Sequence, residues 1–129
     1  MRIGPKAKAV GTVLASCVLV LGISTSASAL TKISAYGYGH AEWNANPDGS
    51  WPGDSLRACD TNADGYGVKA KLLDSSFTVI RTASTAGLSA GHCTEWKSGN
   101  LPENHSYMVI TYRVKGSEEI TLTSLNVKS

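Results

Sequence analysis

Side chains in the C-terminal third of the chain alternate with a period of two, and this alternation constrains the fold most. Between Ser106 and Lys115, one face of an extended chain carries Met108, Ile110, Tyr112 and Val114, and the other carries Tyr107, Val109, Thr111 and Arg113. A Gly116-Ser117 turn follows, and residues 119–127 are rich in β-branched side chains. This pattern predicts a C-terminal β-hairpin.

Shorter β-prone runs, separated by turn residues, fill the middle of the chain. Residues 68–72 alternate between apolar side chains and lysines, and residues 77–82 form another run after the turn Asp74-Ser75-Ser76. Weaker strands are predicted over residues 54–60 and 36–44, the latter loosened by Gly37 and Gly39. No segment sustains helical spacing for more than about two turns.

The runs together predict an all-β fold, a small antiparallel β-sandwich. Gly, Asn, Asp and Pro recur at roughly the spacing of 8–12 residues that is typical of sandwiches. Leu101-Pro102 ahead of Tyr107 is like the tyrosine corner of immunoglobulin-type domains, which adds an immunoglobulin-like tendency.

The first 29 residues have the order of a secretory signal peptide. Arg2, Lys6 and Lys8 precede an apolar run at residues 10–23, and Ala27-Ser28-Ala29 offers a small-residue cleavage site. The run is shorter than the ~20 residues of a membrane-spanning helix. We therefore predict a cleaved leader over residues 1–29, one domain over residues 30–129, and export from the cell.

Lipidation is an alternative fate for the leader. Leu14-Ala15-Ser16-Cys17 spells a lipobox, the tetrapeptide cleaved before a lipidated cysteine. The apolar run continues past Cys17, which favours an ordinary signal peptide in which this cysteine is a small hydrophobe.

Removal of the leader changes the charge balance. The full chain has 12 basic and 10 acidic residues, and without Arg2, Lys6 and Lys8 the net charge falls to near −1. No basic stripe remains to follow phosphates, and no basic amphipathic helix is evident. The predicted domain is therefore expected to bind neither nucleic acid nor membranes. We also expect it to be a monomer.

Two cysteines, Cys59 and Cys93, remain after processing. An even count in an exported chain predicts one disulfide, and closing a loop of this length contributes about 4 kcal/mol in the chain-entropy model. A metal-binding pair is the alternative, but the close spacing of zinc-binding cysteines is absent.

The segment from Asp60 to Gly65 reproduces the opening of a calcium loop. Asp60, Asn62 and Asp64 offer oxygen ligands at alternate positions, but the twelfth position holds Lys71 instead of a chelating Glu. We interpret the segment as an Asx-rich turn, with calcium as the alternative and no cofactor otherwise expected.

A near-repeat supplies a second candidate metal or acid–base site. Gly39-His40-Ala41-Glu42-Trp43 is echoed by Gly91-His92-Cys93-Thr94-Glu95-Trp96. On a strand His40 and Glu42 point the same way, and convergence with His92 and Glu95 would complete a zinc or proton-transfer site.

An aromatic, Gly-rich stretch supplies a candidate ligand surface. Flat rings interleaved with Asn and Asp side chains suit stacking on sugars, although the same rings also suit a core that has a single Phe. The candidate ligand-binding residues are Tyr36, Tyr38, Trp43 and Trp51.

The Cys-Asp-x-x-x-Asp-Gly-x-x-Val segment from Cys59 to Val68 resembles a segment of small secreted actinobacterial proteins. Those proteins likewise have a signal peptide and a second cysteine downstream, and the resemblance implies export and a disulfide without implying an activity. A fainter likeness is to the secreted amylase inhibitors of the same bacteria, although their Trp-Arg-Tyr triplet and second disulfide are absent.

No nucleophile motif of a hydrolase and no nucleotide-binding fingerprint is present in residues 30–129, so an enzyme is not expected. We expect a non-enzymatic module that recognises an extracellular protein or glycan. A bacteriocin-like toxin or enzyme inhibitor is one alternative, and a small metal-dependent enzyme is another.

Overall fold

The computed structural model describes residues 30–129, so the predicted leader and the lipidation alternative at Cys17 lie outside the described residues. Within this range the chain forms seven β-strands and no helix. In chain order the strands are β1 (Leu30–Ser34), β2 (Gly39–Asn44), β3 (Ser55–Asp60), β4 (Gly67–Leu73), β5 (Val79–Ser84), β6 (Ser106–Lys115) and β7 (Glu118–Lys128). The all-β prediction is confirmed.

The strands form two antiparallel sheets, one with the order β1-β2-β3 and the other with the order β5-β4-β6-β7. Their inner faces enclose one core, so the predicted sandwich is confirmed. The immunoglobulin-like tendency extends only to this two-sheet packing. Here β2 pairs directly with β3, whereas the second and third strands of an immunoglobulin domain lie in different sheets.

The three-stranded sheet has one buried and one outer face. Ala41 pairs with Ala58 and Trp43 pairs with Leu56, and all four side chains are buried in the core. Since side chains alternate along a strand, the outer face carries the intervening residues. Those residues are His40, Glu42 and Asn44 on β2, and Ser55, Arg57 and Cys59 on β3.

The turn before β2 explains why this strand is shorter than predicted. Tyr36 and Gly37 both have positive φ, 38° and 81°, as the central residues of a type I′ hairpin turn do. Gly39 then begins β2, where a side chain would collide with the carbonyl oxygen of Cys59. The preceding β1, which sequence patterning did not reveal, pairs with β2 through Ile33 and Ala41.

The predicted C-terminal hairpin is confirmed as β6 and β7, the two longest strands. They pair from Ser106 opposite Lys128 to Lys115 opposite Glu118, with a bulge beside Tyr112. Gly116 supplies the positive φ of 59° at the turn.

Trp43 is the largest fully buried side chain of the core, with 1% of its surface exposed. Alanines occupy five core positions, and the indole fills the space that these small side chains leave. Its Nε1 donates a 3.0 Å hydrogen bond to the Lys128 carbonyl, which ties the two sheets together. Thr111 makes a second tie by donating to the Ser34 carbonyl at 2.9 Å.

Residues 91–97 cover the edge of β3 as an irregular extra strand. Lys97 exchanges two backbone hydrogen bonds with Leu56, and Thr94 donates to the Ala58 carbonyl. The predicted disulfide between Cys59 and Cys93 is confirmed and fixes this segment covalently. Among residues 30–129, no helix has the length and apolar character to cross a membrane.

Candidate functional site

The outer face of the three-stranded sheet carries two half-buried tryptophans, Trp51 and Trp96, which lie beside Arg57 and beside each other. The two ring centroids lie 6.0 Å apart with the ring planes tilted by 46°. The Cζ atom of Arg57 lies 4.4 Å from the Trp96 centroid and 5.9 Å from the Trp51 centroid. We call these three residues the Trp–Arg–Trp cluster.

Trp51 is held by a short hairpin in the β2–β3 connection. Trp51 and Asp48 exchange two backbone hydrogen bonds of 2.9 Å across Gly49, whose φ is +62°. Behind this hairpin, the buried side chains of Asn44 and Ser55 both donate to the Pro52 carbonyl, at 2.8 and 2.6 Å. These bonds fix the loop to the sheet at both of its ends. The loop in turn holds Trp51 in position.

Trp96 is held by the segment that covers the edge of β3. The Cys59–Cys93 disulfide fixes the start of this segment, and the backbone pairing of Lys97 with Leu56 fixes its end. Between them, Thr94 accepts a 3.2 Å hydrogen bond from the Ala58 backbone N–H. The indole is thus positioned by a covalent bond and by backbone pairing on both sides.

Arg57 is fixed from beneath by Glu42, the residue directly opposite it on β2. Its Nε donates to Glu42 Oε1 at 2.7 Å, and His40 Nε2 lies 2.9 Å from Glu42 Oε2. The side chain of Glu42 is 7% exposed, whereas those of Arg57 and His40 are each 23% exposed. A buried carboxylate therefore holds two partly exposed cationic or polar groups in place.

The electrostatics of Glu42 match this geometry. Burial acts to raise the pKa of Glu42, but the hydrogen bonds from Arg57 and His40 and their charges outweigh burial and lower it below 4.5. The carboxylate is ionised at neutral pH, and the ion pair with Arg57 is fully formed there.

The second candidate site comes together only in part. His40, Glu42 and Cys59 place potential ligand atoms within 4.8 Å of one another, but the Cys59 sulfur is bonded to Cys93. His92 lies on the exposed segment, where its Nδ1 is 3.1 Å from the Ser89 hydroxyl, and Glu95 is also exposed. The structure records no contact that joins His92 or Glu95 to His40.

The Asp60–Gly65 segment has the hydrogen bonding of two successive Asx turns. Asp60 Oδ1 accepts the N–H of Asn62 at 3.0 Å, and Asp64 Oδ1 accepts the N–H of Tyr66 at 2.9 Å. Asp60 is buried while Asn62 and Asp64 are exposed. The geometry matches the turn interpretation, with one oxygen of each aspartate satisfied by the backbone.

The four aromatic candidates do not form one surface. Trp43 is a core residue, so the prediction that places it in a ligand platform is corrected on this point. Tyr36, 63% exposed, and Tyr38 lie at the β1–β2 turn, where Thr123 and Arg113 donate hydrogen bonds to their respective hydroxyls. Only Trp51 lies on the outer face.

An open groove of about 430 Å³ lies at the end of the sandwich where the β3–β4 loop, the loop after β5 and the β6–β7 turn meet. Its walls include Asp60, Tyr66, Leu88 and Lys115. The Tyr66 ring is already engaged, since Tyr38 and two cations lie within 5.3 Å of its centroid. The groove therefore offers less free aromatic surface than its composition implies.

Sequence reasoning did not select Arg57 or Trp96 as site residues. The signal that identifies them is the disulfide: a bridge between Cys59 and Cys93 places the residues just before the first cysteine beside those just after the second.

Comparisons with protein-family models, with curated proteins and with solved structures return no match for this chain.

Proposed function

We propose that this chain is a non-enzymatic recognition module that acts outside the cell and binds a glycan through the Trp–Arg–Trp cluster. The observation that carries the proposal is the fixed arrangement of Arg57 against two half-buried indoles, with Glu42 holding the guanidinium from beneath. Groups held in place before binding lose little freedom when a ligand arrives, which favours affinity.

The chemistry of the cluster supports binding more than catalysis. Glu42 is ionised and both of its oxygens are engaged, so this carboxylate is poorly suited to accept a proton from a substrate. Ser, Thr or Cys nucleophiles next to a base are not found at the cluster within residues 30–129, where Cys59 is oxidised.

The surroundings of the cluster favour a glycan over a protein. Protein interfaces have an apolar centre that buries roughly 800 Å² on each partner. The large exposed apolar side chains among the described residues lie elsewhere, and the neighbours of the cluster on the outer face are polar. Aromatic rings among hydrogen-bonding groups suit a sugar, which has both apolar faces and hydroxyls.

A glycan array tests this proposal. The chain of residues 30–129 is applied to neutral, carboxylated and sulfated oligosaccharides together with the Trp51→Ala and Trp96→Ala variants. We expect saturable binding by the wild type, and a loss of roughly tenfold or more in affinity for each variant, as truncation of a central aromatic residue typically causes.

Phe77→Ala provides the matched control, because Phe77 is an aromatic residue that is 70% exposed and lies outside the cluster. This variant should bind as the wild type does. The proposal fails if no glycan is bound, or if the two tryptophan variants bind as well as the wild type. Binding to protein bait but to no glycan would favour the toxin or inhibitor alternative.

A further inference from the structure

Arg57 has unused hydrogen-bonding capacity on the exposed side of the cluster. Its Nε is taken by Glu42, and among residues 30–129 neither terminal nitrogen donates a recorded hydrogen bond. The side chain is 23% exposed, and neither terminal nitrogen is among the buried polar atoms that lack a partner, so both are accessible to a ligand. A guanidinium presents these groups as a planar fork that matches the two oxygens of a carboxylate.

The fork is held in a defined orientation. The guanidinium contacts two rings, and its Nε is fixed by a carboxylate that is itself buried. Arginine loses little freedom on binding when its plane is already set, so a two-point hydrogen bond to an acidic ligand costs little side-chain entropy.

The strand residues beside Arg57 carry a net positive charge. On the outer face, Lys32 lies opposite Glu42 on the β1 side and Arg57 lies opposite it on the β3 side, so two cations flank one carboxylate. In the connecting segments, Glu95 and Lys97 flank Trp96 and offset each other, while Asp48, which is paired with Trp51, carries one negative charge.

We propose, on the basis of the function proposed above, that the glycan is acidic, and that Arg57, supported by the Trp96 ring, binds the carboxylate of a uronic acid residue. Arg57 Cζ lies over the Trp96 ring, 4.4 Å from its centroid, so the indole supports one face of the guanidinium. In a uronic acid the carboxylate is attached directly to the sugar ring, and a carboxylate bound at Arg57 therefore brings the sugar to the cluster.

The test uses oligogalacturonate, a homopolymer of a uronic acid, and its fully methyl-esterified form, which retains the rings and removes the charges. Isothermal titration calorimetry measures both ligands against the wild type, Arg57→Lys and Arg113→Lys. We expect the ester to bind about ten- to a hundredfold more weakly than the acid, because charge-assisted hydrogen bonds are lost. Arg57→Lys should weaken binding of the acid about tenfold and weaken binding of the ester much less, because the ester has no charged partner for the guanidinium.

Arg113→Lys is the matched control, because Arg113 also lies over aromatic rings, those of Tyr38 and Tyr66, but outside the cluster. It should bind both ligands as the wild type does, and near-ultraviolet circular dichroism confirms that each variant is folded. Equal binding of the acid and the ester by the wild type would overturn the inference while leaving glycan recognition intact.

Two further outcomes separate this inference from the function on which it rests. Binding of dextran sulfate in preference to oligogalacturonate would overturn the assignment of a carboxylate, although the proposed function would stand. Failure of both galacturonate forms, together with binding of neutral array glycans, would also overturn only the inference. Failure of every glycan would overturn the function itself.

Discussion

At the scale of single residues, Glu42 connects folding to the candidate site. Its carboxylate is buried and shared between Arg57 and His40, so its ionisation holds the guanidinium in place. Because its pKa is lowered in the folded state, the ionised form stabilises the fold above pH 4.5, and this contribution is lost as the pH falls through the folded-state pKa.

We predict that Glu42→Gln lowers the free energy of unfolding at pH 7 by about 1–3 kcal/mol, the cost of a hydrogen-bonded charged group at a site of low exposure. Below the folded-state pKa of Glu42 the wild type loses the same contribution, so the two proteins should converge. Urea unfolding in a series of buffers from pH 7 downward measures the effect. Glu103→Gln, at an exposed glutamate, is the control, and a gap that does not narrow as the pH falls would contradict the prediction.

A second prediction at the scale of single residues concerns Trp43. Because this residue lies in the core, its substitution should change stability without changing glycan binding. Trp43→Phe removes the hydrogen bond to the Lys128 carbonyl and leaves a small void in the core, which should lower the free energy of unfolding by about 2 kcal/mol. Glycan affinity of the folded variant should not change. Thermal unfolding and calorimetry measure the two quantities, and a loss of affinity without a loss of stability would refute the core assignment.

At the scale of elements, the segment of residues 91–97 connects the disulfide to the candidate site. The bond between Cys59 and Cys93 spans 34 residues, which include β4 and β5 of the other sheet. It therefore restrains the unfolded chain and also holds the segment that carries Trp96 against β3.

We predict that the double variant Cys59→Ala/Cys93→Ala loses up to about 4 kcal/mol of stability, following the loop-closure estimate. It should also bind glycans more weakly, because only hydrogen bonds then hold the segment. Thr94→Val, which removes the hydrogen bond to the Ala58 N–H, should cost only about 1 kcal/mol. Equal stability of wild type and double variant in urea would contradict this view of the disulfide.

The strands that sequence patterning predicted best are those with the longest runs of alternating or β-branched side chains. The β6–β7 hairpin was predictable because two such runs, residues 106–115 and 119–127, flank a Gly–Ser turn. β1 was not, since Leu30–Ser34 is short and Ile33 is its one fully buried residue. The predicted strand over residues 36–44 was too long because Tyr36 adopts a left-handed conformation that its side chain does not suggest.

The candidate site was less predictable than the fold. Sequence spacing placed His40 and Glu42 on one face correctly, because both lie on one strand. It could not reveal that Arg57 lies opposite Glu42, since this pairing depends on the register between β2 and β3. Nor could it distinguish Trp43, which points into the core, from Trp51, which lies on the outer face.

At the scale of the whole molecule, the described residues form one two-sheet sandwich closed by a disulfide, a bond that is typical of exported proteins. The predicted leader adds a direct expectation about the mature protein. Its first residue should be Leu30, and Cys59 and Cys93 should be its only cysteines.

We predict that intact-mass spectrometry of culture medium finds a chain that begins at Leu30 and is two hydrogens lighter than the reduced form. Alkylation without a reductant should label no thiol, and alkylation after reduction should label two. A lipidated chain that begins at Cys17, a retained leader or two labelled thiols would each contradict the prediction.

The central claim is that ligands bind at the Trp–Arg–Trp cluster, and the three indole N–H signals of the protein test it most directly. Trp43, Trp51 and Trp96 are the only tryptophans in the sequence. In a ¹⁵N correlation spectrum titrated with the array glycan that binds most strongly, the Trp51 and Trp96 signals should shift and saturate together, while the buried Trp43 signal should stay in place. Unmoved Trp51 and Trp96 signals, with shifts in the backbone amides that line the end groove instead, would contradict the account.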